Sequence, residues 1–106
     1  MSWKPITLQD LIRLISSSTN EMSNELCVLF KKNKVVPYKI PCQRIINSPV
    51  EFIYVVACYR DNLLIYDDVE EEFGIGVVPK GGVLKEWNLY GSLEVALNAL
   101  SESDKA

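Results

Sequence analysis

Residues 52–59 constrain the fold most, because all eight of their side chains are apolar or aromatic. Side chains of a strand alternate between the two faces of its sheet. We expect one face to carry Phe52, Tyr54, Val56 and Cys58 and the other to carry Ile53, Val55, Ala57 and Tyr59. A strand that is apolar on both faces needs cover on both, which is typical of a central strand. The segment should therefore lie inside a sheet.

The residues that follow predict further strands in antiparallel order. Arg60-Asp61-Asn62 is a hairpin turn that leads into the apolar run of residues 63–66. Residues 74–78 continue the sheet, and Gly74 is expected to permit a bulge or a tight bend. Pro79-Lys80-Gly81-Gly82 then turns the chain again.

The segments before residue 52 predict shorter strands and turns. Residues 26–30 are apolar and are interpreted as a buried strand, and residues 31–34 as a polar turn. Pro37 and Pro41 bracket an extended piece, and because proline cannot donate to a strand ladder they favour an edge or a loop. Residues 44–46 are interpreted as another short strand.

Two helices flank the predicted strands. Thr7 can cap the first helix, with Asp10 where its carboxylate meets free N–H groups. The polar residues 16–20 are expected to end that helix, since short polar side chains compete for the backbone. Ser92 caps the second helix. The apolar stripes consist of Leu8, Leu11, Ile12 and Ile15 in the first helix and of Leu93, Ala96, Leu97 and Leu100 in the second.

This order predicts an α+β fold, an antiparallel meander of about five strands packed by an N-terminal and a C-terminal helix. The 106 residues suit a single domain, with residues 1–5 and 101–106 expected to fray. Trp3 is interpreted as a lid on the core. We expect no secretory signal, because Asp10 and Arg13 interrupt the apolar residues near the N-terminus. We also expect no membrane span, because no apolar run approaches the roughly 18 residues that a bilayer requires.

The three cysteines, Cys27, Cys42 and Cys58, are odd in number and are interpreted as reduced thiols of a cytoplasmic protein. Cys27 and Cys58 lie in apolar, strand-like runs, where a thiol acts as a small hydrophobe. Cys42 lies near Lys39 and Arg44, so activation by a neighbouring cation remains open for it alone.

The acidic stretch of residues 67–72 is the feature most relevant to function, and it follows an apolar run that should hold it at the end of a strand. It contains five of the fourteen carboxylates: Asp67, Asp68, Glu70, Glu71 and Glu72. Residues 1–60 carry eight Lys/Arg and four Asp/Glu, whereas residues 61–106 carry three and ten, so the net charges are +4 and −7. A nucleic-acid binder usually shows the opposite balance, because phosphate contacts dominate its affinity. A basic protein partner fits better, and simple solubility is the rival interpretation.

Metal and catalytic sites fit the acidic stretch poorly. A calcium loop that began at Asp67 would place Glu72 at its sixth position, which needs glycine, and Val78 at its twelfth, which needs glutamate. The chain has no histidine, so Cys–His and Ser–His nucleophiles are impossible. We expect no metal, no cofactor and no enzymatic activity. A small hydrolase with paired carboxylates, using Asp68 or Glu72, remains the enzyme alternative.

Trp87 and Tyr90 are the aromatic residues that could act with these carboxylates. They lie just before the last helix, and surface Trp and Tyr are typical anchors of protein interfaces. For Trp87 a position in the core is an equal alternative. A third functional class, a homo-oligomeric structural or adaptor protein, would associate through an exposed strand edge.

The run YVVACYRDNLLIYDDVEEEFGIG, followed by WNLYGSLEVALNAL, resembles small bacterial immunity proteins of polymorphic or contact-dependent growth-inhibition toxin systems. The resemblance covers residues 52–100 and rests on size, the acidic strand end and the W-x-L-Y-G-S-L-E helix entry. It implies tight, stoichiometric binding to a cognate toxin domain in the cytoplasm of the producing cell. Many such toxins are nucleases with basic clefts, which an acidic surface can occlude.

Residues and resemblance together predict a non-enzymatic binding protein, monomeric or weakly dimeric, that neutralises a basic toxin domain. The partner-binding residues would be Asp67, Asp68, Glu70, Glu71, Glu72, Trp87 and Tyr90. The carboxylates would supply electrostatic steering and salt bridges, and the two aromatic residues would be apolar anchors. Neither nucleic acid nor membrane is an expected partner.

Overall fold

The computed structural model describes residues 4–105, with side chains as far as Glu102. Within that range the elements are α1 (Leu8–Asn20), α2 (Asn24–Asn33), β1 (Lys34–Cys42), β2 (Glu51–Tyr59), β3 (Asn62–Asp67), β4 (Glu72–Val77), β5 (Trp87–Gly91) and α3 (Leu93–Lys105). The prediction for Trp3 lies outside the described residues. The expected fraying of residues 1–3 and 106 also lies outside the described residues. The expected fraying of residues 4–5 and 101–105 stays a prediction.

The five strands form one antiparallel sheet in the order β1-β2-β3-β4-β5. The α+β fold with a five-stranded meander is therefore confirmed, as are the N-terminal and C-terminal helices. β1 lies at an edge of the sheet, the position that its two prolines favour because proline has no N–H to donate to a ladder.

The N-terminal cap of α1 is the one that the sequence indicates, and the helix ends at Asn20, the last residue of the polar stretch that is expected to end it. The Asp10 N–H donates to Thr7 Oγ1 at 3.1 Å. The helix then continues through residues 16–20, because the Ser18 and Thr19 hydroxyls donate to carbonyls one turn earlier. Such back-bonding lets short polar side chains remain within a helix.

Residues 26–30 belong to α2, so the strand predicted there is wrong. The Leu26 N–H donates to Ser23 Oγ at 3.3 Å, which begins the helix with a side-chain cap. Leu26 and Phe30 are four residues apart and both buried, which is a helical spacing on one face. Residues 31–34 are the last turn of α2 and the first residue of β1, not a free turn.

Residues 44–46, predicted as a short strand, lie in the loop between β1 and β2. The Ser48 N–H donates to the Ile45 carbonyl at 3.0 Å, and Asn47 has a φ of 69°. This turn reverses the chain before β2. Asparagine is one of the few residues that adopts such a φ readily.

β2 is covered on both faces as predicted, but its alternation is interrupted. The ladder with β3 shifts register between Val55 and Ala57, so the second half of the strand changes faces. Ala57 and Tyr59 consequently pack on the helix side and Cys58 on the opposite side, the reverse of the prediction. Phe52, predicted to be covered, is exposed.

The two faces of the sheet carry separate cores. The helix-side core includes Leu11, Phe30, Val56, Phe73 and Leu97. In α3 the whole predicted apolar stripe is buried, whereas Leu8 and Ile12 of α1 are exposed. The second-face core consists of Cys42, Ile53, Val55, Leu63, Ile65 and Leu84.

The loop of residues 78–86 covers the second face. Its Leu84 N–H donates to the Pro41 carbonyl, and the Gln43 N–H donates to the Leu84 carbonyl, both at 2.9 Å. A parallel bridge between Leu84 and Cys42 results at the end of β1. The loop thus connects the two ends of the meander across its second face.

Gly74 lies where the β4–β5 ladder shifts register, so the predicted bulge occurs beside it, but the extra residue is Tyr90 of β5. A Cβ atom added to Gly74 would lie 2.4 Å from the Asn88 carbonyl oxygen. We expect Gly74→Ala to lower the free energy of unfolding by about 1–3 kcal/mol, because backbone must move to relieve the overlap. Gly81→Ala is the matched control, since nothing lies within 4 Å of its added Cβ. Equal urea midpoints for the two variants would contradict the expectation.

Candidate functional site

The acidic stretch begins with a buried carboxylate at the end of β3. Asp67 has an exposed fraction of 0%. The Arg44 Nη1 and Nη2 atoms donate to its Oδ2 and Oδ1 atoms, both at 2.7 Å. The Trp87 Nε1–H also donates to Oδ2, at 3.2 Å. This paired geometry is the strong form of an arginine–carboxylate contact.

Arg44 holds several parts of the fold together. Its Nε lies 3.3 Å from Glu51 Oε2, an electrostatic contact with the first residue of β2. Its guanidinium carbon lies 5.4 Å from the centroid of the Trp87 ring, within the range of a cation–π contact. A single side chain from the β1–β2 loop therefore reaches β2, β3 and β5.

Asp67 also organises the loop that follows it. Its Oδ1 accepts the Val69 N–H at 3.1 Å and the Glu70 N–H at 3.3 Å. Asp67 pairs with Glu72 across the β3–β4 ladder, so the reversal occurs within four residues. Glu71 completes it with a φ of 58°, which is uncommon for a residue other than glycine. We call residues 68–72 the acidic loop.

The carboxylates of the acidic loop differ in their surroundings. Glu70 and Glu71 are exposed, and Glu72 is half-buried. Asp68 is half-buried, and its Oδ2 accepts the Ile6 N–H at 3.0 Å, which ties the loop to the segment before α1. Glu70, Glu71 and Glu72 are thus the carboxylates best placed to meet a partner. We assign Asp67 to a positioning role inside the fold.

Trp87 and Tyr90 occupy the two faces of the sheet. Trp87 is half-buried against the second-face core, and its indole N–H donates a hydrogen bond to Asp67. Tyr90 is half-buried against the helix-side core. Trp87 therefore lies within the same cluster as the acidic stretch, whereas Tyr90 does not. Their roles as interface anchors stay predictions.

The ionisation of Asp67 depends on this cluster. Burial alone would raise the pKa of its carboxyl group, but the Arg44 hydrogen bonds, the Glu70 N–H and the Arg44 charge together outweigh burial. The pKa of Asp67 therefore lies below its ordinary value. The same contact raises the pKa of Arg44. Both groups are charged at neutral pH.

Acid should weaken the fold through Asp67. Because its pKa is lower in the folded than in the unfolded chain, ionised Asp67 stabilises the fold fully above the unfolded value of about 3.9. That stabilisation declines as the pH falls below this value and is lost below the folded pKa. We expect Asp67→Asn to flatten the decline of unfolding free energy with acid, measured by urea titration from neutral pH downward. Parallel curves for the wild type and Asp67→Asn would contradict this, and Asp10→Asn, in an exposed ion pair, is the control.

Cys42 does not have the surroundings of an activated thiol. It is buried in the second-face core, and burial raises its pKa despite the opposing charge of Arg44. The protonated, unreactive form is therefore favoured. All three cysteines are free thiols, and Cys27, predicted in a strand, lies in α2. Among the described residues, no three His, Cys, Asp or Glu side chains are grouped to hold a metal ion.

A groove of about 1080 Å³ lies beside the acidic loop, between β5 and the covering loop of residues 78–86. Arg44, Asp67 and Trp87 line it, and Lys80 and Lys85 add positive charge. The groove therefore contains both signs of charge. It is continuous with the surface of the acidic loop, because Glu70 lines both.

The sequence patterns do not reveal a set of exposed apolar residues around the β1–β2 loop. They are Ile45, Ile46, Val50 and Phe52, which we call the apolar loop surface. The patterns place residues 44–46 and 52 in strands, where burial is the usual outcome. Asn47-Ser48-Pro49 is the signal that could have found them, since turn-forming residues directly after two isoleucines favour a loop that exposes them.

Comparison of the chain with protein-family models, with curated proteins and with solved structures finds no match. None of the helices in residues 4–105 has the length and apolar character needed to cross a membrane. The candidate site therefore stands on its own geometry.

Proposed function

We propose that this chain is a non-enzymatic binding protein whose acidic loop docks onto a basic protein partner. More specifically, we propose an immunity protein that binds and neutralises a cognate toxin domain in the cytoplasm. The observation that carries the proposal is the fixed backbone of the acidic loop. Asp67 accepts the Val69 and Glu70 N–H groups while Arg44 holds Asp67 in place.

A fixed loop favours binding over simple solubility as the role of these carboxylates. Solubility needs charge on the surface but no particular loop conformation. Binding gains from a loop that is already ordered, because less conformational entropy is lost on association. Glu70 and Glu71 are exposed on the part of the loop that Asp67 and the strand ladder hold. The arrangement therefore has the preorganisation expected of a recognition element.

Electrostatics point to a basic partner. The acidic loop belongs to the half of the chain with a net charge of −7. A concentrated negative potential speeds the encounter with a positively charged surface and discourages acidic competitors. A toxin with a basic active-site cleft has that chemistry. An acidic surface placed across such a cleft would exclude its anionic substrate.

Two matched variants test the proposal. The acidic-loop variant carries Glu70→Gln, Glu71→Gln and Glu72→Gln. The helix control variant carries Glu21→Gln, Glu25→Gln and Glu102→Gln, all at exposed positions. Both lose three negative charges, so a difference between them reports position and not net charge.

The experiment is a growth-rescue assay. We expect the gene directly upstream to encode a secreted protein whose variable C-terminal domain stops growth when expressed inside the cell. Coexpression of the wild-type chain or the helix control variant should restore growth, and the acidic-loop variant should not. Failure of the wild-type chain to restore growth, or equal rescue by both variants, would overturn the proposal.

A further inference from the structure

The apolar loop surface consists of large apolar side chains that are exposed and close together in the sequence. Ile45 and Ile46 are 71% and 85% exposed, and Phe52 is 61% exposed. Val50 is also exposed, so four large apolar side chains occur within eight residues. Clustered apolar exposure of this kind marks interaction sites in soluble proteins.

The loop that carries these residues is tightly hydrogen-bonded. The Ser48 N–H and hydroxyl both donate to the Ile45 carbonyl, at 3.0 and 2.6 Å. The Gln43 Nε2 donates to the Ser48 carbonyl at 2.9 Å, and the Gln43 N–H is bonded to Leu84. The isoleucines are therefore presented by a defined turn that is anchored to the covering loop.

The apolar loop surface and the acidic loop lie at the same end of the sheet. β1 and β3 run in the same direction in the meander, so the loops that follow them emerge together. Arg44, directly before Ile45, bonds to Asp67, directly before the acidic loop. The ion pair between half-buried Arg44 and buried Asp67 thus fixes both loops relative to each other.

The charge around the apolar loop surface indicates what can cover it. Residues 43–51 and 67–72 contain six carboxylates and one arginine, a formal charge of −5. An anionic membrane would be repelled by this surface, although its apolar side chains could insert. An occupant must bring apolar side chains together with positive charge, which is the chemistry of a cationic amphipathic segment.

We propose that the apolar loop surface and the acidic loop form one docking site for a cationic amphipathic segment of a partner protein. This deepens the proposed function and rests on it. The isoleucines and Phe52 bury apolar partner side chains, while Glu70 and Glu71 pair with flanking lysines or arginines. Interfaces of this composition have an apolar centre with charged residues at the rim.

Two synthetic peptides serve as probes. The first is an amphipathic helix with leucines on one face and lysines on the other. The second has serine in place of every leucine and the same lysines. Binding is measured by fluorescence anisotropy at low salt to the wild-type chain and to the variant Ile45→Ser/Ile46→Ser. The matched control is Val36→Ser on β1, which alters a residue that is 78% exposed.

We expect the double isoleucine variant to bind the leucine–lysine peptide at least about tenfold more weakly, because two central apolar contacts are lost. Val36→Ser should bind it as the wild type does. The serine–lysine peptide should bind weakly and equally to all three, because only the charges act on it. Circular dichroism spectra check that each variant is folded. Equal loss in Val36→Ser and in the double variant would overturn the docking site.

Further arms separate the other occupants and the proposed function. If the wild-type chain sediments with phosphatidylserine vesicles and the double isoleucine variant does not, the surface is a membrane anchor and the proposal is overturned. Self-association that the double isoleucine variant abolishes would make a second copy the occupant and would equally overturn the proposal.

The acidic-loop variant should bind both peptides more weakly than the wild-type chain does. If it binds both as tightly as the wild type, the electrostatic role in the proposed function fails. If instead the double isoleucine variant binds the leucine–lysine peptide as tightly as the wild type, only the docking site is contradicted.

Discussion

Arg44→Ala is expected to lower the free energy of unfolding by about 3–5 kcal/mol, which is a large part of the stability of a small domain. The substitution leaves the Asp67 carboxylate, with no solvent exposure, without its two 2.7 Å partners. An uncompensated buried charge is far more costly than a missing surface contact. It should also remove the cation–π contact with Trp87.

The control for this prediction is Arg13→Ala, which breaks the exposed ion pair with Asp10. Exposed pairs contribute roughly 0–1 kcal/mol, so the change in unfolding free energy should be small. Arg44→Lys should fall between the two variants, because lysine keeps the charge but cannot form the paired geometry. Urea unfolding at neutral pH measures all three. An Arg44→Ala midpoint as close to the wild type as that of Arg13→Ala would contradict the structural role assigned to the pair.

The second large effect is expected on partner binding. The acidic-loop variant should bind the cognate toxin domain at least about tenfold more weakly, because the loss of three rim charges slows the electrostatically steered association, an effect of roughly 10–10³-fold. Its folding should be intact, since Glu70 and Glu71 are exposed, half-buried Glu72 is replaced by glutamine of the same shape, and Asp67 is unchanged. Titration calorimetry gives the affinity, and urea unfolding checks the fold. The helix control variant should keep the wild-type affinity.

The elements that the sequence predicts well have local signals. Residues 52–59 and the hairpin after them are defined by apolar runs and turn residues that lie next to each other in the chain. Thr7 and Ser92 cap their helices through bonds only three residues long. Such contacts can be inferred from spacing alone.

The errors arise where local signals compete or where tertiary contacts decide. Residues 26–30 form an apolar run too short to distinguish strand from helix by pattern, and the cap at Ser23 decides for the helix. The register shift after Val55 exchanges the faces of β2 without any signal in its apolar composition.

In the candidate site, too, local signals predict part of the structure and tertiary contacts decide the rest. Composition locates the acidic stretch, but it cannot distinguish Asp67 from its neighbours. The distinction depends on Arg44, which lies 23 residues earlier in the chain and meets Asp67 only in the folded sheet. Likewise, the apolar side chains of Ile45 and Ile46 predict a strand, whereas in the structure Ser48 and Gln43 hold these residues in a turn.

The most direct test of the acidic loop as a binding surface is the association rate with the toxin domain at low and at high salt. For the wild-type chain we predict a fast rate that falls steeply with salt, because steering by exposed carboxylates is screened within about 10 Å at 0.1 M. For the acidic-loop variant we predict a slower rate with a much weaker salt dependence, while the helix control variant stays close to the wild type. The same rate and the same salt dependence for all three chains would contradict the claim.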